Sequence, residues 1–246
     1  MFIGANLIHI TELDSTNRFA MDLVRNTLPP EGTTITTDFQ TAGRGQQGKH
    51  WLSRRGENIN CSIILYPGFL RAQDQFLLNM AIALAVCAAA SELSGAACAL
   101  KWPNDVVYQH KKIAGILIEN SWVGHRWQAA IVGIGLNLNQ QDFEGFPASS
   151  LRNIAGVTMD ADYSCRVLFR HLEARYLMVQ GPRKDVILSD YNAQLVHHGS
   201  KVDLALQDGG SMSADFLCAE RTGGIRIKTE EGALQTLYHP EARIIL

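Results

Sequence analysis

The chain has 246 residues, 46% apolar and 19% charged, a composition that excludes a disordered or fibrous segment and fits an ordinary globular protein. Its 22 Lys and Arg stand against 24 acidic residues, a formal net charge of -2, so no field over the whole molecule recruits nucleic acid. Cys61, Cys87, Cys98, Cys165 and Cys218 are odd in number, scattered and without a C-x-x-C pair, which fits reduced thiols in a cytoplasmic protein and argues against a structural zinc.

The first residues, MFIGANLIHITELDSTN, lack a basic stretch followed by a long apolar run, so no secretory signal is expected. Leu7 to Leu13 reads as an edge strand, followed by a helix through Phe19, Ala20, Leu23 and Val24 that Asp14 or Ser15 can cap. Ser15-Thr16-Asn17 sits where the strand hands over to the helix. Taken alone, capping is the favoured role for those side chains, with a ligand as the alternative.

Thr33 to Gln40 is rich in β-branched residues and reads as a strand that delivers Gln40 to a loop, QTAGRGQQGKHW, ending at Trp51. Gly43, Gly45 and Gly48 let the backbone turn and bring N–H groups close to a ligand, Arg44 and Lys49 add charge, and Trp51 offers an aromatic face. That is anion-binding chemistry, and a nucleotide suits it; the bland alternative is a flexible turn with solvated charges. The nucleoside-triphosphatase loop G-x-x-x-x-G-K also fits Gly43 to Lys49, but His50 stands where Ser or Thr is needed and no helical pattern follows.

Asn58 to Tyr66 is the next strand, and Gln73 to Leu93 a helix apolar nearly all round. Its longest apolar run, Phe76 to Ala90, is broken by Asn79 and short of the roughly 20 residues that span a membrane, so it reads as a buried central helix. Ala97 to Trp102 is a short strand ending in a turn, Lys101-Trp102-Pro103-Asn104-Asp105, that gathers a cation, an amide and a carboxylate. Val106 to Tyr108 and Ile113 to Glu119 form a hairpin about Gln109-His110-Lys111, with Lys112 opening the second strand, where a solvated edge charge is the default. Gln128 to Asn139 is a long strand; Gly133 and Gly135 leave room for a ligand or neighbouring backbone, and Asn137 and Asn139 share a face.

Cys165 to Val179 and about Arg183 to Val196 read as helices. Beyond them, Val202 to Leu204, Ser213 to Leu217, Ile225 to Ile227 and Leu234 to Tyr238 are short strands separated by glycine turns, the spacing of a small barrel. The expected division is therefore 1–196 and 197–246. His197-His198 has no further ligand at metal-binding spacing and reads as linker.

In order and in company these strings resemble biotin protein ligases: Ser15-Thr16-Asn17, Gln40 followed by GRGQQGKHW, KWPNDV at Lys101 to Val106, KIAGILIE at Lys112 to Glu119 and GIGLNLN at Gly133 to Asn139. The resemblance implies an α/β (α+β) fold, with a mixed, largely antiparallel sheet flanked by helices and a carboxyl-terminal SH3-like β-barrel. It implies synthesis of biotinyl-5′-AMP from biotin and MgATP, then transfer of biotin to a lysine of the biotin carboxyl carrier protein domain. On the matching positions, Lys112, Arg44 and Lys101 become the catalytic cations. Ser15, Thr16, Asn17, Gln40, Gly43, Arg44, Gly45, Lys112 and Gly115 become the biotin contacts. Gln46, Gly48, Trp51, Asn104, Asp105 and Asn137 become the nucleotide contacts, with Asp105 on Mg2+.

Gln46 and Gln47 depart from the arginines common in the family's loop, leaving one cation fewer and putting retention of the intermediate in doubt. Ser15 lies too near Met1 for the DNA-binding domain some members carry, so no operator binding, no nucleic-acid partner and no membrane are expected; a homodimer is compatible with the resemblance. A lipoate or octanoate ligase or transferase of the same fold is the rival, and its Arg-Arg-x-Ser-Gly-Gly-Gly type of loop does not occur here.

Overall fold

Asn58–Leu65, wholly buried, shows how the chain builds a site on one side of a sheet and a core on the other. Side chains alternate along a strand with period two. Ile59, Cys61, Ile63 and Leu65 enter the main apolar cluster, leaving Asn58, Asn60 and Ser62 for the opposite face. A polar row therefore lies under cover on the same strand that anchors the core.

The computed structural model describes residues 1–245. In chain order the elements are β1 (Leu7–His9), β2 (Glu12–Leu13), α1 (Thr16–Thr27), β3 (Thr34–Thr37), β4 (Phe39–Gln40), β5 (Asn58–Leu65), α2 (Gln75–Ser94), β6 (Ala99–Lys101), β7 (Asp105–Tyr108), β8 (Lys111–Val123) and β9 (Arg126–Asn137). There follow α3 (Leu151–Ala155), α4 (Ala161–Gln180), α5 (Asp185–Gln194), β10 (Lys201–Leu206), β11 (Ser211–Ala219), β12 (Ile225–Thr229), β13 (Leu234–Leu237) and β14 (Ala242–Ile244). Seven strands form one mixed sheet in the order β1-β3-β5-β9-β8-β7-β6; only β1–β3 is parallel, and every other neighbouring pair is antiparallel.

Two layers of helix cover this sheet. α1 seals one face through Ala20 and Val24 against Ile35, Ile64, Ala129 and Ile131. On the other face α2 is the central element, running its full 20 residues and buried among the sheet, α4 and α5. It is long and apolar enough to cross a membrane by composition, but here that apolar surface is the core of the fold.

The single strand expected over Leu7 to Leu13 is two, and so is the one over Thr33 to Gln40. The reason is Thr37, whose hydroxyl donates toward the Thr11 and Phe39 carbonyls and replaces the ladder where both chains step out of the sheet. β2 and β4 then pair separately, in parallel. This step delivers Leu13 and Gln40 side by side to the same edge of the site.

After α5 the architecture changes to five antiparallel strands in the order β13-β12-β11-β10-β14. β14, not foreseen, adds to β10 through Leu204 opposite Ile244. The apolar cluster runs unbroken from the main sheet into this unit through Trp102, Phe216, Ile225 and Ile227. Trp102 Nε1 donates to the Gly223 carbonyl at 3.0 Å, and Arg221 Nε lies 2.7 Å from Asp74 Oδ1, so the small sheet is tied against the mouth of the large one. α3 was also missed: five residues, begun by Ser150 Oγ accepting from the Asn153 N–H and ended by Gly156 at φ +75°, give no period to read.

Candidate functional site

Strand register places the chemistry in a line. Asn60 of β5 stands opposite Gly135 of β9, Gly135 opposite Gly115 of β8, Gly115 opposite Asp105 of β7, and Asp105 opposite Lys101 of β6. One row thus crosses five strands on the face away from α2, with two glycines at its centre. The neighbouring row runs Ser62, Gly133, Leu117.

The glycines are there for side chains that lie flat on the sheet. A Cβ on Gly135 would come within 2.2 Å of the Trp51 ring, and one on Gly133 within 2.2 Å of Asn17 Oδ1. Trp51 lies over the first row, donating through Nε1 to Asn60 Oδ1 at 2.9 Å. Asn17 lies over the second, accepting from Ser62 Oγ at 2.6 Å and donating to the Leu117 carbonyl at 3.2 Å and to Glu119 Oε2 at 2.9 Å. The space expected there for a ligand or backbone is filled by these two side chains.

Ser15 takes the N-cap position of α1 but makes no side-chain cap bond, which overturns the capping role favoured for it from sequence. Thr16 also looks outward from the helix: its N–H and hydroxyl reach Gln40 Oε1 at 2.9 and 3.2 Å, and its oxygen accepts from Ser62 at 2.7 Å. Thr16, Asn17, Gln40 and Ser62 therefore form one fixed set of donors and acceptors at the start of a helix. All but Gln40 are almost fully buried.

Of the residues singled out in the sequence, Ser15, Thr16, Asn17, Gln40, Arg44, Gly45, Gln46, Trp51, Lys101, Asn104, Asp105, Lys112 and Gly115 line a single cavity. Gly43, Gly48 and Asn137 do not. Gly43 is required by the approach of the Trp51 carbonyl, 2.5 Å from where its Cβ would be, and Gly48 by its φ of +72°. Asn137, beyond the end of the cavity, donates to the Lys112 and Ser149 carbonyls at 3.2 and 3.0 Å and so fixes the backbone that carries Lys112. Asn104, at the rim, commits its amide N–H to the Ile116 carbonyl.

Five cations line the cavity, Arg44, Lys49, Lys101, Lys112 and Arg243, against one carboxylate, Asp105. In a chain of net charge -2 this is a local excess that favours an anionic occupant. Lys112 Nζ pairs with Asp105 Oδ1 at 2.6 Å and curls over Gly115, 5.8 Å from the Trp51 ring centroid. Arg44 pairs with Glu119 at 3.2 Å, the carboxylate that also holds Asn17. Glu119, His239 and Arg243 were not read as site residues, and the last two come from the carboxyl-terminal sheet and its connection.

Burial pushes the Lys101 ammonium below its ordinary value; Asp105 opposes this, while Lys112, Lys49 and Arg243 add to it. No group of three or more His, Cys, Asp or Glu that could enclose a metal occurs among the described residues. Asp105 Oδ1 is engaged by Lys112, while Oδ2 takes no side-chain partner, one hard oxygen of the kind a nucleotide-bound magnesium uses.

The biotin/lipoate A/B protein ligase family matches residues 10–137, from β2 through β9. The chain belongs to that family. This biotin/lipoate A/B ligase-family chain is 36% identical over 180 residues to the bifunctional ligase/repressor BirA of Bacillus subtilis, an alignment covering 71% of the chain and 54% of that protein. It is 29% identical over 204 residues to a biotin–[acetyl-CoA-carboxylase] ligase of Mycobacterium tuberculosis, covering 81% and 74%. The Bacillus relatives are matched over about half their length. Among solved structures, a biotin protein ligase from Aquifex aeolicus in complex with biotin and ATP superposes with a TM-score of 0.82 at 27% identity, covering 98% of this chain and 99% of that one.

Two outcomes test the geometry of this family member. Gly133→Ala drives a methyl into Asn17, which Ser62 and Glu119 hold in place, and should lower unfolding free energy by about 1–3 kcal/mol in urea; an unchanged midpoint would show that Asn17 is not fixed there. Lys101 has a folded pKa below its unfolded one, so its charge costs stability at neutral pH, and the cost fades as pH rises from the folded value toward about 10.5. Lys101→Met should therefore raise the urea midpoint at pH 7, with a gain that shrinks in alkaline buffer; a loss at pH 7 would contradict the desolvation.

Proposed function

We propose that this chain joins biotin to ATP to form biotinyl-5′-AMP, and then passes the biotinyl group to a lysine amine of a biotin carboxyl carrier domain. What carries the reading is the cavity itself: five cations against one carboxylate, set on a glycine row beside a fixed donor–acceptor set. The Aquifex protein, bound to biotin and ATP, has the same fold over its whole length.

In the first step a biotin carboxylate oxygen attacks the α-phosphorus, the bond to the bridging oxygen breaks, and pyrophosphate leaves. Two anions must approach, so catalysis is positioning plus neutralisation of charge. Lys112 is the cation placed for this, and to serve it must exchange its Asp105 partner for the incoming oxygens. Asp105 and its free Oδ2 then suit magnesium, which when bound supplies further charge neutralisation at the phosphates. Arg44 can make the same exchange from Glu119, drawing the glycine loop over the reacting groups and excluding water from the mixed anhydride.

The ureido ring of biotin presents N–H donors and a carbonyl acceptor, which Thr16, Asn17 and Gln40 can meet with hydroxyl and amide groups oriented by one another and by Ser62, with the Ser15 hydroxyl beside them in the cavity. Buried partners left unpaired by an acid without that ring give the selectivity, since such sites reject the analogue lacking the polar group. In the second step the acceptor nitrogen attacks the acyl carbon and AMP leaves. The anhydride is already activated, so no enzyme nucleophile is needed.

Incubation with MgATP and labelled pyrophosphate tests this directly: biotin should drive exchange into ATP and lipoate or octanoate should not. Exchange driven by lipoate instead would reassign the substrate within the family. Lys112→Ala should cut the biotin-dependent rate at least ~100-fold, the scale of losing one electrostatic contact at developing charge. A rate within a few-fold of the parent would remove Lys112 from the reaction.

A further inference from the structure

The chain passes from the large sheet to the small one at His197. After α5 it runs beside β6, where Leu195 bridges Leu100 and the Val196 N–H donates to the Leu100 carbonyl at 3.0 Å. The His197 carbonyl then accepts from the Ser200 N–H at 3.1 Å and its hydroxyl at 2.9 Å. With Gly199 the small sheet begins, its N–H donating to the Phe216 carbonyl at 3.0 Å. The backbone of this joint is well bonded, but the His197 ring is not: its Nε2 is buried and has no hydrogen-bond partner among the described residues.

The His110 ring, from the turn between β7 and β8, stacks on that of His197 with centroids 6.4 Å apart and planes 30° from parallel. The titratable groups that act on His197 are this ring and the Lys101 ammonium of β6; neither is a carboxylate. His198 follows it in the chain. Burial, then His110, then Lys101 hold the His197 imidazole below its ordinary pKa. An imidazolium donates from both ring nitrogens, and Nε2 faces no acceptor. A proton here therefore creates a charge and an N–H that only water can satisfy, and water enters only if the connection lifts off β6.

We propose that the His110–His197 pair is a proton-operated catch between the two sheets, shut while the rings are neutral and released when His197 gains a proton. The sign follows from the direction of the shift. A histidine held below its unfolded pKa stabilises the shut joint fully above about 6.5, and that stability is lost as pH falls from there toward the folded value. His239 and Arg243 reach the cavity only from the small sheet and its connection, so release withdraws both from it. Acid thus acts on the cavity through a histidine that does not line it, whichever acid the enzyme activates.

Amide hydrogen exchange on the full chain, at about pH 7.5 and 5.5 and corrected for the intrinsic rate, reads the joint at the Val196 and Gly199 N–H groups. In the parent, both should exchange faster at the lower pH by up to about tenfold, the limit for one imidazole a unit below its ordinary 6.5. His197→Leu fills the site without a titrating group, and its rise should stay within about twofold. His110 is exposed at its turn, so His110→Asp keeps the core intact; its carboxylate favours the imidazolium and should shrink the rise. No acid-dependent rise in the parent, or a rise of the parent's size in either variant, would overturn the catch. Loss of the response in His239→Asn with His197→Leu unaffected would assign it to His239 instead.

Discussion

The absence of a Cβ at Gly115, Gly133 and Gly135 is the constraint on which the site is built. Strand alternation puts these three on one face and Ala114, Ile116, Val132 and Ile134 on the other. The same strands are thus core from below and open ground from above. Trp51 and Asn17 can lie down on that ground, and the loop and helix that carry them come with them. A Cβ at Gly133 would collide with Asn17, and one at Gly135 with the Trp51 ring, so a larger residue at either would displace the side chain that covers it.

On that ground the electrostatics are deliberately unbalanced. Lys112 and Arg44 are parked on Asp105 and Glu119, pairs that hold the side chains in place at modest cost because both remain partly solvated. Lys49, Lys101 and Arg243 enter no ion pair among the described residues. Two ion pairs ready to be exchanged and three charges awaiting a partner describe a site completed by its ligands, with Lys101 carrying an energetic burden in their absence. Under the proposed activation chemistry, stability and activity pull in opposite directions at that residue.

Most of the main sheet was legible because its strands are long and alternate cleanly, and its helices carry apolar faces or capping glycines. Legibility failed where a single side chain overrode the local pattern. Thr37 broke two strands that composition alone joins. Ser15-Thr16-Asn17 looks like a cap because its partners, Gln40, Ser62 and Glu119, lie 24 to 102 residues away. Glu119 sat unnoticed inside the KIAGILIE string, although its alternation with Gly115 and Leu117 places it on the site face. His239 and Arg243 belong to no recognisable string and reach the cavity only because β14 pairs with β10 and the small sheet leans on Trp102. Such residues become visible through topology.

A crystal structure with biotin and a non-hydrolysable ATP analogue addresses the central claim, that paired and unpaired cations above the glycine row wait for two anions. Lys112 Nζ should be found off Asp105 and within hydrogen-bond reach of both the biotin carboxylate and the α-phosphate. The Lys112–Asp105 pair intact, with both ligands bound elsewhere, would contradict it.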